Sequence, residues 1–142
     1  MEVSEVMSSE DIRWVQRFQN FSKSCMLLSE INNYAPEETI AIIREGFIQR
    51  FEIAFELAWK TLRDYLEYEG LNVQPTPRAV IKEAFATGIV SDGETFISML
   101  EARNMMSHKY DENTFNAVFL QIQREFLPLL NNLCIFFEDK KV

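Results

Sequence analysis

The sequence predicts an all-α protein, an antiparallel up-and-down bundle of four long helices plus one short helix, in one domain over residues 1–142. Three observations predict it. Four Gly and four Pro in 142 residues are too few for a turn-rich β architecture. Apolar residues recur at spacings of three and four along most of the chain. The periodic runs are bounded by residues that start and stop helices. No internal repeat, low-complexity tract or long linker divides them. A chain of this length typically buries ~70% of its unfolded surface. Its 47% hydrophobic and 13% aromatic residues fill such a core and leave a surplus that predicts a partner surface.

The elements follow in order. Ser8 or Ser9 can cap a first helix reaching to about Asn33, with Trp14, Phe18, Phe21, Cys25 and Leu28 on one face. Pro36 suits the first turn of a second helix, from about Glu37 to Glu69, with Gly70 as its left-handed stop. This helix carries two apolar stripes. Ile40, Ile43, Phe47, Phe51, Ala54, Ala58, Leu62 and Tyr65 form one, and Ile48, Phe55, Trp59 and Leu66 the other. It should therefore touch neighbours on both sides and act as the spine. Thr76-Pro77 opens a short third helix closed by Gly88. Ser91 and Glu94 have capping-box spacing and open a fourth through Phe96, Met99, Leu100 and Arg103. The fifth runs from after Tyr110-Asp111-Glu112-Asn113 to about Glu138, with a kink or break expected near Arg124 to Leu127 because Pro128 lacks a backbone donor.

Charge and composition exclude several classes of function. A net charge of −8 and a pI near 4.7 oppose non-specific adhesion to nucleic acid or anionic membrane. No DNA or membrane partner is expected, and any RNA contact must be local. The start of the chain has no secretory pattern, and the apolar-rich run from Phe126 to Phe137 is too short to span a bilayer. A soluble, cytoplasmic protein with reduced, buried Cys25 and Cys134 is expected. One His and two distant Cys cannot build a zinc site, and no glycine-rich phosphate loop is present, so no metal and no cofactor is expected. Glu52 and Glu56, one turn apart, could hold an ion, but such a pair on a long helix is more often a solvated face.

One stretch stands out: RNMMSHKY, residues 103–110, with the only histidine of the chain. An isolated His at a helix end usually caps or packs. Arg103, however, puts a permanent cation on the Phe96–Met99–Leu100 stripe, where it must find a carboxylate, a cleft or an anionic ligand. Asn104 and His108 are one turn apart on a shared face. A guanidinium, an amide and an imidazole together can hold a phosphate and move a proton. Five helical residues turn about 140°, so Arg103 and His108 can meet only in a broad groove, through the reach of the Arg, or across a subunit interface.

RFEIAFELAWKTLRDYLEYEG (50–70), PRAVIKEAFATGIV (77–90) and MLEARNMMSHKYDE (99–112) resemble the nucleotidyltransferase substrate-binding protein family, a branch of the HEPN helical domains. The resemblance covers roughly residues 10 to 138. Its most specific block is Arg103, four residues, His108, one residue and Tyr110, the R-x4-H-x-Y pattern of HEPN toxins paired with minimal nucleotidyltransferases. The resemblance implies a homodimeric helical subunit working beside a separate minimal nucleotidyltransferase. It further implies a metal-independent ribonuclease whose RNA substrate is cut at a cleft between two subunits. By position, Arg103 would stabilise the scissile phosphate, His108 would transfer a proton, Asn104 would support them, and Tyr110 would receive nucleotide from the partner. Two other functions stay open: a non-catalytic subunit presenting nucleotide or acceptor substrate to that partner, and a structural bundle without chemistry.

Overall fold

Helix α2, Ala41–Tyr68, is the longest element and the one on which the others pack. The computed structural model describes residues 9–106 and 111–141. Around α2 stand α1 (Ser9–Ser29), the short α3 (Pro77–Ala86), α4 (Gly93–Met106), and a rod made of α5 (Glu112–Gln121), a π-helical turn (Ile122–Phe126) and α6 (Leu127–Lys140). Among the described residues there is no strand, and no helix is long and apolar enough to cross a membrane. The up-and-down all-α bundle read from the sequence is the fold.

Both predicted stripes of α2 are buried from Phe47 onward. Phe47, Phe51, Ala54, Ala58, Leu62 and Tyr65 lie inside, as do Ile48, Phe55, Trp59 and Leu66. A helix apolar on two sides must be covered on two sides. Helix α1 covers one side in antiparallel register. Arg13 pairs with Glu67 at 3.2 Å, Arg17 with the buried Asp64 at 2.9 Å, and Glu30, just past α1, with Arg50 at 2.8 Å.

The start of α2 differs from the sequence reading. Pro36–Glu38 forms a separate 3-10 turn, and Thr39 and Ile40 are extended. Side chains stabilise this break locally. Thr39 Oγ1 donates to the Pro36 carbonyl at 2.8 Å, and Arg44 Nη1 reaches back to the carbonyl and hydroxyl of Thr39. Ile40 is consequently exposed and Ile43 only half-buried. Likewise α1 ends at Ser29, and Glu30–Asn33 tightens to 3-10. Ser8, one of the two expected caps of α1, lies outside the described residues.

Three further boundaries match their predicted chemistry, and the start of the fourth helix does not. Thr76 Oγ1 accepts from the Ala79 N–H at the start of α3, and Gly70 and Gly88 take φ of +90° and +86° after α2 and α3. The fourth helix is capped by Asp92 rather than by a Ser91–Glu94 box. The Asp92 carboxylate accepts from Thr95 N at 3.0 Å and from Thr95 Oγ1 at 2.8 Å, and these bonds hold its pKa below the ordinary value.

Pro128 leaves its mark where expected, as a π turn instead of a break. Proline cannot donate to the Arg124 carbonyl four residues back and its ring crowds it, and a wider turn accommodates both effects without ending the helix. The turn aims Phe126 at Phe51, whose rings stack at 5.2 Å, while Gln123 Nε2 donates to the carbonyls of Ile31 and Tyr34. The proline-induced irregularity is thus tied into the α1–α2 connection.

At the other end of the bundle Phe137 of α6 is enclosed by Trp14, Phe18 and Tyr65 at ring distances of 5.6–5.7 Å. Beside it Cys25 and Cys134, distant in sequence, meet as free thiols. Hydrogen bonding with Cys134 and then burial push the Cys25 thiol well above its ordinary range. Phe137→Ala should open a cavity among three helices and lower the unfolding free energy by about 3–5 kcal/mol in urea titration. A loss under about 1 kcal/mol would show that this ring cluster is not central to the fold.

Candidate functional site

Helix α4 presents Arg103 and Asn104 to α2 because Phe96, Met99, Leu100, Ala102 and Met106 bury its inner face. Arg103 sits at the margin of that face. Its guanidinium reaches across to α2. There Nη2 donates to Glu56 Oε1 at 2.9 Å and Nη1 to Asn104 Oδ1 at 3.2 Å. The carboxylate that the sequence demanded for Arg103 is therefore Glu56, with the two side chains 31% and 34% exposed.

These residues line a concavity of about 590 Å³ walled by Gln49, Glu52, Ile53 and Glu56 of α2 and by Arg103 and Asn104 of α4. The reading of Glu52 and Glu56 as a solvated face misses this arrangement. The one-turn spacing that suggested solvent places both carboxylates on the α2 face toward Arg103. The only sequence signal for it was a cation needing a partner and a carboxylate pair without an assignment. Glu56 is shared, its second oxygen lying 3.3 Å from Lys60 Nζ. Partial burial raises the pKa of Glu52 above its ordinary 4.5, and the Arg103 charge offsets part of that rise.

A larger concavity of about 780 Å³ lies between α3 and α4, floored by Ile81, Phe85 and Ile97 and rimmed by Asp92, Glu94 and Glu101. It contains none of the predicted site residues. It is the larger of the two, while the predicted Arg103 and Asn104 line the smaller. No cluster of three or more metal-ligating side chains occurs among the described residues.

The structure thus brings Arg103 and Asn104 together at one concavity. His108 and Tyr110 lie outside the described residues, between the end of α4 at Met106 and Asp111. Asp111 caps α5 by accepting from the Thr114 N–H at 2.7 Å, and Glu112 in the next position pairs with the buried Arg44 at 3.1 Å.

Comparison with known proteins is consistent across family, curated relative and fold. Residues 16–138 match the family described as nucleotidyltransferase substrate binding protein like. A curated protein of Haemophilus influenzae, named probable ribonuclease HepT, is 25% identical over 111 residues, covering 74% of this chain and 76% of that one. A crystal structure of a protein from Thermus thermophilus superposes with a TM-score of 0.72 at 29% identity, over 80% of this chain and 94% of the other.

The raised pKa of Glu52 has a consequence for stability. The native state holds this proton more tightly than the unfolded state, so ionising Glu52 disfavours the fold. The penalty is absent well below 4.5, where both states are protonated, grows as pH rises through 4.5, and is complete above the raised native value. Glu52→Gln should therefore raise the Tm more at about pH 7 than at about pH 4. Equal increments at the two pH values would show that Glu52 is not desolvated.

Proposed function

Since the chain belongs to the nucleotidyltransferase substrate binding protein like family, we propose that it is the helical subunit of a two-chain system with a separate minimal nucleotidyltransferase. In this reading it is a metal-independent ribonuclease. The observation that carries the reading is Arg103, a permanent cation opening onto a concavity of an otherwise acidic chain, at the first position of R-x4-H-x-Y. A relative named as a probable ribonuclease supports it.

The chemistry follows from the residue types. The ribose 2′-oxygen attacks phosphorus as the bond to the 5′-oxygen breaks, and negative charge builds on the non-bridging oxygens. Arg103 supplies a two-pronged donor for that charge, and Asn104 supports it from the adjacent position. His108, whose imidazole can both accept and donate a proton, takes the 2′-hydroxyl proton or protonates the leaving oxygen. Tyr110 is the acceptor for nucleotide: its phenol oxygen attacks the α-phosphate of ATP on the partner enzyme, releasing pyrophosphate. The attached phosphates then occupy the guanidinium and silence the cut.

The working form is a homodimer. Ile42, Gly46, Gln49 and Ile53 form an outward strip along α2 beside the concavity, with Ile42 71% and Ile53 50% exposed. Gly46, within this strip, faces open space and has no side chain to hold a second helix away. A second reading is favoured by Glu52 and Glu56, which make the concavity net negative and suit a non-catalytic subunit presenting substrate to the nucleotidyltransferase.

Cellular RNA incubated with the protein in EDTA decides between the two readings. The wild type should cut. His108→Ala should abolish cutting, and Arg103→Lys should reduce it about 100-fold or more because a point charge does not replace the fork. Intact RNA with the wild type would leave the substrate-presenting role. Intact mass after treatment with the nucleotidyltransferase and ATP should show added nucleotide that Tyr110→Phe removes; addition that survives this substitution would contradict the assignment. Ile53→Glu should convert the dimer to monomer in sedimentation at micromolar concentration, and an unchanged dimer would place the interface elsewhere.

A further inference from the structure

The phosphate anchor of the proposed site is already occupied. Glu56 Oε1 lies 2.9 Å from Arg103 Nη2, so the donor best placed to meet an anion in the concavity donates to a carboxylate of the same chain. The pairing is not isolated. Glu56 Oε2 lies 3.3 Å from Lys60 Nζ, one turn along α2, so the two oxygens of one carboxylate serve two cations. If Arg103 turns away, Glu56 keeps Lys60 as a counter-charge and no carboxylate is stranded.

From this geometry we infer that Glu56 is a built-in competitor for Arg103, a carboxylate latch that an RNA phosphate must displace and that sets how tightly the site takes its substrate. The inference rests on Arg103 being the phosphate anchor. Three features on the same walls support it. Both partners of the pair are about one-third exposed, which leaves the ion pair open to exchange with an incoming anion. The Asn104 Oδ1 contact keeps the guanidinium oriented while Nη2 changes partners. Glu52 lies one turn before Glu56 on the same helix and lines the same concavity, so a phosphate there faces two carboxylates and gains entry mainly by taking the guanidinium.

The latch makes a prediction opposite in sign to a supporting role. A residue that holds Arg103 in its working orientation would, when removed, weaken turnover. A competitor, when removed, tightens binding and leaves turnover intact. An exposed ion pair of this kind is worth about a two- to fivefold change in affinity.

The test measures binding of a short single-stranded RNA, 2′-O-methylated at every position to prevent cutting, by fluorescence anisotropy at low salt. Glu56→Gln should bind about two- to fivefold tighter than wild type. The same change in an Arg103→Ala background should have no effect, and Glu138→Gln, which removes an exposed carboxylate on α6, should change affinity by less. With cleavable RNA, Glu56→Gln should lower KM and leave kcat unchanged. Unchanged or weaker binding by Glu56→Gln, tightening that persists without Arg103, or tightening matched by Glu138→Gln would overturn the latch. So would a fall in kcat at constant KM, which would make Glu56 a support for Arg103. Tightening that depends on Arg103 together with no cutting by the wild type would retain the latch and remove the nuclease reading.

Discussion

The architecture depends on one constraint: α2 is apolar on two sides. Its two buried rows, one through Phe51 and Leu62 and the other through Phe55 and Leu66, cannot both be covered by a single neighbour. Helix α1 packs along it in antiparallel register, α6 brings Phe137 to Trp14 and Tyr65, and the π turn brings Phe126 onto Phe51. The up-and-down arrangement is the short-loop solution to enclosing one such helix. Irregularities are resolved around the same axis. Gln123 in the π turn donates to carbonyls beyond α1, and Arg44 of α2 reaches back to Thr39.

The same constraint shapes the concavity that holds the candidate site. Once α1, α3 and the α5–α6 rod have covered the apolar rows, α2 has one face left, and Gln49, Glu52, Ile53, Glu56 and Lys60 recur along it at helical spacing. Helix α4 lays its own margin against that face and delivers Arg103. A buried spine therefore yields a polar concavity with rigid walls, because both walls are the outer edges of helices whose inner faces are locked in the core. Rigidity of this kind suits the recognition of a phosphate, which needs donors held in place more than it needs a deep pocket.

Much of this was legible in the sequence. Gly70 and Gly88 as left-handed stops, Thr76 as a cap and the double stripe of α2 are local signals, and local signals survive into the structure. Arg103 was legible as a cation out of place, and its need for a carboxylate was met. Which carboxylate was not legible, since Glu56 is 47 residues away and a one-turn acidic pair on a long helix looks the same whether it faces water or an arginine. Cys25 and Cys134 were hidden for the same reason: their contact depends on the register of α1 against α6, which no local pattern encodes. The cap of α4 was misread because Ser91 and Asp92 are adjacent competitors, and the carboxylate bonds Thr95 twice. The start of α2 was misread because the bonds of Thr39 and Arg44 outweighed the helix signal of Pro36.

A crystal structure of the protein with an uncleavable 2′-O-methyl oligonucleotide shows whether Arg103 is the phosphate anchor proposed at the mouth of this concavity. Expected is a phosphate bonded to the Arg103 guanidinium within the walls formed by Gln49, Glu52, Ile53 and Glu56, with Glu56 turned to Lys60. An oligonucleotide seated elsewhere, with Arg103 still paired to Glu56, would contradict it.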